Sequence, residues 1–174
     1  MRLKKFRFLS ALALFALVWL TVRFPIEVHT AVGRFFGENH IDPATLHLAG
    51  EFVENNLGSA QESDGSITVR MIAQQYIFVP QCVLVPARVP IHFRITSADV
   101  AHELTVAGSP DVLKALPGTV NTANFEFPDA GEFPMPCREF CGSGHYAMRA
   151  KLVVVQRHQF QKLRSDERIS CDPR

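Results

Sequence analysis

Four side chains that bind soft metals lie within the run MPCREFCGSGHYAMRA (135–150): Cys137, Cys141, His145 and Met148. A fifth, His102, stands upstream in VAHELTV (100–106), sharing the parity of Leu104 and Val106. That parity points it with the apolar face of a strand, towards the core end that a loop at 137–148 would cap. His102, Cys141, His145 and Met148 supply two imidazoles, a thiolate and a thioether, the donor set of a mononuclear blue-copper site. Their softness selects copper over calcium or magnesium, and zinc sites seldom use methionine. Cys137 does not fit that set, because one copper has no use for a second thiolate four residues before the first. Two thiolates that each bridge two copper ions use both. The result is a compact diamond of two coppers and two sulfurs, with one imidazole on each copper and Met148 and a carbonyl as weak ligands. An odd electron shared over two metals needs little reorganisation, so such a centre suits electron transfer rather than bond chemistry.

Other readings of the same residues stay open. An exported protein permits a Cys137–Cys141 disulfide. The two thiols also allow a redox pair, although the spacing is C-x3-C and not C-x-x-C. Neither uses His102, His145 and Met148 together. A lone inward His102 is also compatible with a core histidine bonded to a backbone carbonyl. Copper chaperones that carry C-x3-C and a distant histidine are built on helices between strands, a pattern missing here.

Short strands must position these residues. In SITVRMIA (66–73), Ile67, Val69, Met71 and Ala73 alternate with Thr68, Arg70 and Ile72. In VPIHFRIT (89–96), Val89, Ile91, Phe93 and Ile95 alternate with Pro90, His92, Arg94 and Thr96. This two-residue period marks half-buried strands. AHELTV, ANFEFP and KLVVV continue it, separated by Pro, Gly, Asp and Asn. Several short strands over 66–156 with no long helical period predict an all-β sandwich or barrel. The cysteine-bearing run is then the loop before the last strand, and Gly142 and Gly144 let it turn tightly.

Residues 1–24 carry a basic flank (Arg2, Lys4, Lys5, Arg7) and the apolar run Phe8–Val22, followed by Arg23. The run reads either as a signal-peptide core or as a short membrane helix whose arginines reach the two interfaces. No small-x-small cleavage site follows, which favours an uncleaved anchor. Either way the basic flank stays in the cytoplasm and the remainder is exported. Residues 25–65 read as a connector of mixed polarity, and 157–174 as a polar tail. From Arg23 to Gln156 there are nine Lys/Arg against fourteen Asp/Glu, a net charge of −5. No cluster of basic residues suggests a nucleic-acid partner.

The motif Cys137-x-Glu139-x-Cys141-Gly142-x-x-His145-x-x-Met148 resembles the CuA signature of subunit II of haem–copper cytochrome c oxidases. ITSADVAHELTV (95–106) is similar to that family's segment around its first copper histidine, and PDAGEFPMPCREFCGSGH (128–145) to its approach to the loop. The likeness covers roughly 66–156. HIDPAT (40–45) and the room for a single span resemble the bacterial form with one membrane helix. The resemblance implies a cupredoxin-like Greek-key β-sandwich or barrel behind one N-terminal transmembrane helix. It implies that Cys137 and Cys141 bridge the coppers and that His102 and His145 bind one each. Met148 and the Glu139 carbonyl are then weak ligands, and the Glu139 side chain faces magnesium at the border with subunit I. Tyr76 falls near a relative's tryptophan thought to admit electrons; core packing explains it equally well.

The function implied is that of the electron-accepting subunit of a terminal oxidase in the inner (plasma) membrane. Its copper domain is external, its donor is a cytochrome c or a small cupredoxin, and haem in subunit I reduces oxygen to water. The alternatives are a membrane-anchored mononuclear cupredoxin shuttle, a copper-delivery protein and the CuA subunit of a nitric oxide reductase. The sequence departs from the family in two places. No acid lies within the apolar span, where some relatives carry a glutamate, and Cys82 and Cys171 match nothing in the motif. These two are free or paired with each other, and a polar tail around Cys171 argues against a structural disulfide. His29, His40, His47, His92 and His158 are scattered through connector, surface and tail.

Overall fold

The computed structural model describes residues 40–163 and 171. The apolar run Phe8–Val22 lies outside them, so the expected span is untested. No helix among the described residues is long and apolar enough to cross a membrane.

Ten strands follow in chain order among the described residues: β1 Gly58–Gln61, β2 Ile67–Gln74, β3 Ile77–Val79, β4 Cys82–Pro86, β5 Ile91–Ser97, β6 His102–Thr105, β7 Val112–Ala115, β8 Asn121–Phe125, β9 Gly131–Pro136 and β10 Arg149–Val155. A short helix, α1 Arg157–Leu163, closes the series. One sheet runs β1-β2-β5-β8 with β3 added on β2, a second runs β4-β10-β9, and β6 pairs with β7. The pairs β2–β5 and β4–β10 are parallel, in registers from Ile67↔Ile91 to Ala73↔Ser97 and from Lys151↔Cys82 to Val155↔Pro86. Parallel neighbours cannot be joined by a hairpin, so the chain crosses between sheets and encloses a core. This is the all-β sandwich expected.

β5 follows its predicted parity as far as Ile95, with Ile91, Phe93 and Ile95 buried and His92 and Arg94 only partly so, whereas Thr96, expected on the outer face, is fully buried. β2 does not: Ile72 is buried as fully as Met71 and Ala73. The reason is a second, smaller core on the outer face of β2, where Leu46, Phe52, Leu57 and Val120 close over Ile72. Burying each of these large side chains contributes roughly 1.5–3 kcal/mol. Part of the stretch read as connector therefore packs on the sheet, and β1 adds a strand to it. Glu51 fastens the same stretch. Arg94 donates to both its carboxylate oxygens at 2.6 Å, and Arg70 Nε donates to Oε2 at 3.2 Å. Burial opposes the Glu51 charge, but the Arg94 and Arg70 guanidinium groups outweigh it and hold the carboxyl below its usual range.

Two features of the C-terminal segment differ from expectation. Phe160 of α1 is buried against the main core. Cys82 and Cys171 are joined in a disulfide, with Cα atoms 5.2 Å apart across 89 positions. The polarity around Cys171 says nothing of its packing: the residue itself lies against the core beside β4.

The main core carries an aromatic file, Phe93–Phe125–Phe127–Phe133, with successive ring centroids 5.1, 6.1 and 5.5 Å apart. It lies towards the end of β5 that pairs with Phe125. At the opposite end β2 and β5 finish at Gln74 and Ser97, β9 finishes at Pro136, and β6 and β10 begin at His102 and Arg149. The sulfur and imidazole donors converge there.

Candidate metal centre

Two strands and one loop build this end. β9 is the last strand of its sheet, a position that tolerates the missing N–H groups of Pro134 and Pro136. Beyond Pro136 the backbone closes on itself, because the Cys137 amide donates to the Met148 carbonyl at 3.0 Å. The Arg138 amide donates to the Glu103 carbonyl at 2.7 Å and ties the start of the loop to β6. Residues 145–147 form one turn of 3-10 helix, with the Met148 amide on the His145 carbonyl at 3.1 Å. That turn brings His145 and Met148, three residues apart, to the same side as Cys141.

Gly142 has φ +130°, a backbone region that favours glycine. Both loop glycines also admit a close neighbour. A Cβ on Gly142 would lie 2.6 Å from Tyr76 Oη, and one on Gly144 would lie 2.6 Å from Tyr76 Cγ. Tyr76, expected either to admit electrons or to pack, thus lies directly on the loop with an exposed edge.

Every sequence-predicted donor comes to this end. His102 is 1% exposed, and Cys137, Cys141 and Met148 are buried; His145 is half-buried and the Glu139 side chain is exposed. The ligand atoms of His102, Cys137 and Cys141 all lie within 4.8 Å of one another. Each thiol has its own imidazole. Cys137 Sγ is 4.0 Å from His102 Nδ1, and Cys141 Sγ is 3.8 Å from His145 Nδ1. Each also has a weaker donor, the Glu139 carbonyl 3.3 Å from Cys137 Sγ and Met148 Sδ 3.6 Å from Cys141 Sγ. Both cysteines are free thiols, which removes the disulfide reading of this pair.

Burial, followed by the neighbouring Cys137, pushes the Cys141 thiol up to about 11. A metal bound here must displace that proton, so its affinity falls as pH falls. The donors present are soft sulfurs and imidazoles with no carboxylate among the converging atoms, a set that fits copper.

Sequence reasoning missed two neighbours. Asp99 Oδ1 lies 2.9 Å from His102 Nε2 and leaves Nδ1 turned to Cys137. Burial works against the Asp99 charge; the Gln75 amide, the His102 ring and the Val100 amide outweigh it and hold the carboxyl below its ordinary range. The D-x-x-H spacing of SADVAH was the available signal, since second partners of metal-binding histidines are commonly carboxylates. Gln75 donates its side-chain amide to the Cys141 carbonyl. No spacing announces that contact, which joins residues 66 positions apart. Phe140 and Tyr146 also stand out on the loop, 75% and 85% exposed.

A family model described as cytochrome C oxidase subunit II, periplasmic domain, matches residues 65–157. A relative named cytochrome c oxidase subunit 2, from Thermus thermophilus, is 30% identical over 136 residues, which is 78% of this chain and 81% of the relative. A second Thermus thermophilus protein of that name is 32% identical over 134 residues, covering 76% of this chain and 99% of the relative. Among solved structures, the periplasmic domain of subunit II of cytochrome oxidase from Bradyrhizobium japonicum aligns with a TM-score of 0.50 at 21% identity. That alignment covers 55% of this chain and 88% of the other, and at such identity it speaks for the fold.

Proposed function

The chain belongs to the cytochrome c oxidase subunit II family, and from that premise we propose that His102 and the 137–148 loop hold a binuclear copper centre of the CuA type. Its place is in an oxidoreductase complex, as the subunit that admits electrons, and the family describes its matched domain as periplasmic.

The observation that carries the binuclear reading is the pairing of each thiol with a separate imidazole, Cys137 with His102 and Cys141 with His145. A mononuclear set leaves Cys137 without a role. In the proposed centre Cys137, Cys141, His102 and His145 would hold the copper pair, with Met148 and the Glu139 carbonyl as weaker donors. When bound, the copper pair supplies one-electron chemistry with the charge shared over two metals.

The chain's own residues set the conditions. Burial of His102, Cys137, Cys141 and Met148 keeps water from the donors. The Cys137–Met148 backbone bond keeps the loop closed whether or not charge changes within it. Tyr76, packed on Gly142 and Gly144 with its edge exposed, is the point where electrons come in. Exposed Phe140 and Tyr146 offer apolar contact to a cytochrome c or a small cupredoxin. The acidic balance of the exported part suits a basic donor. The acceptor is haem in subunit I, where oxygen is reduced. The exposed Glu139 carboxylate is assigned to magnesium at that subunit border, and Phe8–Val22 to a single membrane anchor with the N-terminus in the cytoplasm.

Metal analysis and electron paramagnetic resonance of the copper-loaded full-length chain test the centre. Two coppers per chain with one unpaired electron spread over both are expected. One copper with a localised electron rejects the binuclear reading.

A further inference from the structure

The two histidines of the site come from separate segments, His102 at the start of β6 and His145 on the loop. Hydrogen bonds link those segments through residues that are not ligands. His102 Nε2 meets Asp99 Oδ1, and the other Asp99 oxygen accepts the Gln75 backbone N–H at 2.7 Å. The Gln75 side-chain amide in turn donates to the Cys141 carbonyl. Asp99 is itself held by the Val100 amide at 2.6 Å and the Ser97 hydroxyl at 3.3 Å. His102, Asp99, Gln75 and Cys141 thus form an unbroken strap across the site.

Within the strap, Gln75 is the residue that bonds to the loop backbone, at the Cys141 carbonyl. The residue after Cys141 is glycine, at φ +130°, so no Cβ of its own restrains the Cys141–Gly142 peptide plane, and the plane's orientation rests on the neighbours that pack there, Gln75 and Tyr76. Tyr76 presses on the loop from the same side but contacts Gly142 and Gly144, leaving the Cys141 carbonyl to Gln75.

We propose that Gln75 is a positioning residue: its side chain fixes the backbone of Cys141 while its main chain, through Asp99, fixes the ring of His102. A thiol and an imidazole drawn from different segments are thereby placed for metal before it arrives. The inference rests on the copper reading of the site. A merely structural Gln75 would touch thermal stability and nothing at the metal.

The test uses the copper-loaded full-length chain and two variants, Gln75→Leu, which removes the donor, and Gln75→Glu, which sets an acceptor against the Cys141 carbonyl. Gln75 is exposed and belongs to neither hydrophobic core, so neither substitution opens a cavity, and the thermal midpoint reports any effect on folding. Copper loss to a chelator, the hyperfine pattern and the reduction potential are read beside the thermal midpoint. Gln75→Leu is expected to weaken copper binding about tenfold, as changes to residues behind metal ligands do, and to alter the hyperfine pattern. Gln75→Glu should do both more strongly. Copper release, hyperfine pattern and potential all unchanged in both variants overturn the proposal, even if the midpoint moves. A wild-type chain that holds no copper defeats the copper reading itself, a result independent of either variant.

Discussion

The chain carries two pairs of cysteines with opposite fates. Cys82 and Cys171 are 89 positions apart and bonded; Cys137 and Cys141 are four positions apart, buried and free. Nearness in sequence therefore does not decide which thiols join. Cys82 sits on β4, and Cys171 is brought beside it against the main core. At the other end each thiol faces an imidazole and a second weak donor. Burial also keeps the Cys141 thiol protonated at neutral pH, and a protonated thiol is a poor nucleophile. One pair restrains the chain; the other stays free and, in the proposed centre, is kept in reserve for metal.

Substituting one member of each pair separates these roles. Cys137→Ser is expected to have the largest effect. It removes one bridge and leaves His102, Cys141, His145 and Met148, so metal analysis should find no more than one copper. Electron paramagnetic resonance should show the electron localised. Electron transfer into the oxidase should fall by more than about 100-fold, the upper range for residues that only support ligands. A wild-type spectrum in Cys137→Ser would show that Cys137 is not a ligand.

Cys171→Ser should do the reverse. Losing the cross-link costs about 2–4 kcal/mol through the freedom regained by the unfolded chain, which lowers the melting midpoint by roughly 10 °C. The copper spectrum should stay that of the wild type. A changed spectrum at unchanged midpoint would mean that the two pairs communicate.

Met148→Leu sharpens the contrast with the smallest change. A thioether is a weak donor that tunes potential more than it holds metal. Leucine is close in volume, so the packing cost stays within about 1.5 kcal/mol. Copper should remain bound, and the reduction potential should rise because losing a donor favours the reduced, less charged state. A redox titration checks this; full loss of copper would give Met148 a stronger hold than its weak axial role allows.

Much of the site was legible in the chain. Residue type and order in C-x3-C-x3-H-x2-M name the donors, because metal softness depends on the atoms offered and a short loop brings near neighbours together whatever the fold. The parity of His102 with Leu104 and Val106 set its direction, because a strand turns alternate side chains to one face. Local periodicity reaches no further. It put Ile72 on the solvent face of β2, and the arrival of Leu46, Phe52 and Leu57 from the preceding segment and of Val120 from downstream buried it. It left Cys82 and Cys171 unassigned, and it missed Asp99 and Gln75 behind the donors. Asp99 had a local signal in its D-x-x-H spacing to His102; each of the others is settled by a contact between segments remote in the chain, where no repeat or spacing records the partner. The sequence by itself determined which atoms were available to a metal and, for His102, on which face it would lie. Tertiary structure decided which thiols bond, which hydrogen bonds hold the donors, and what covers the sheet, because those depend on where distant backbones meet.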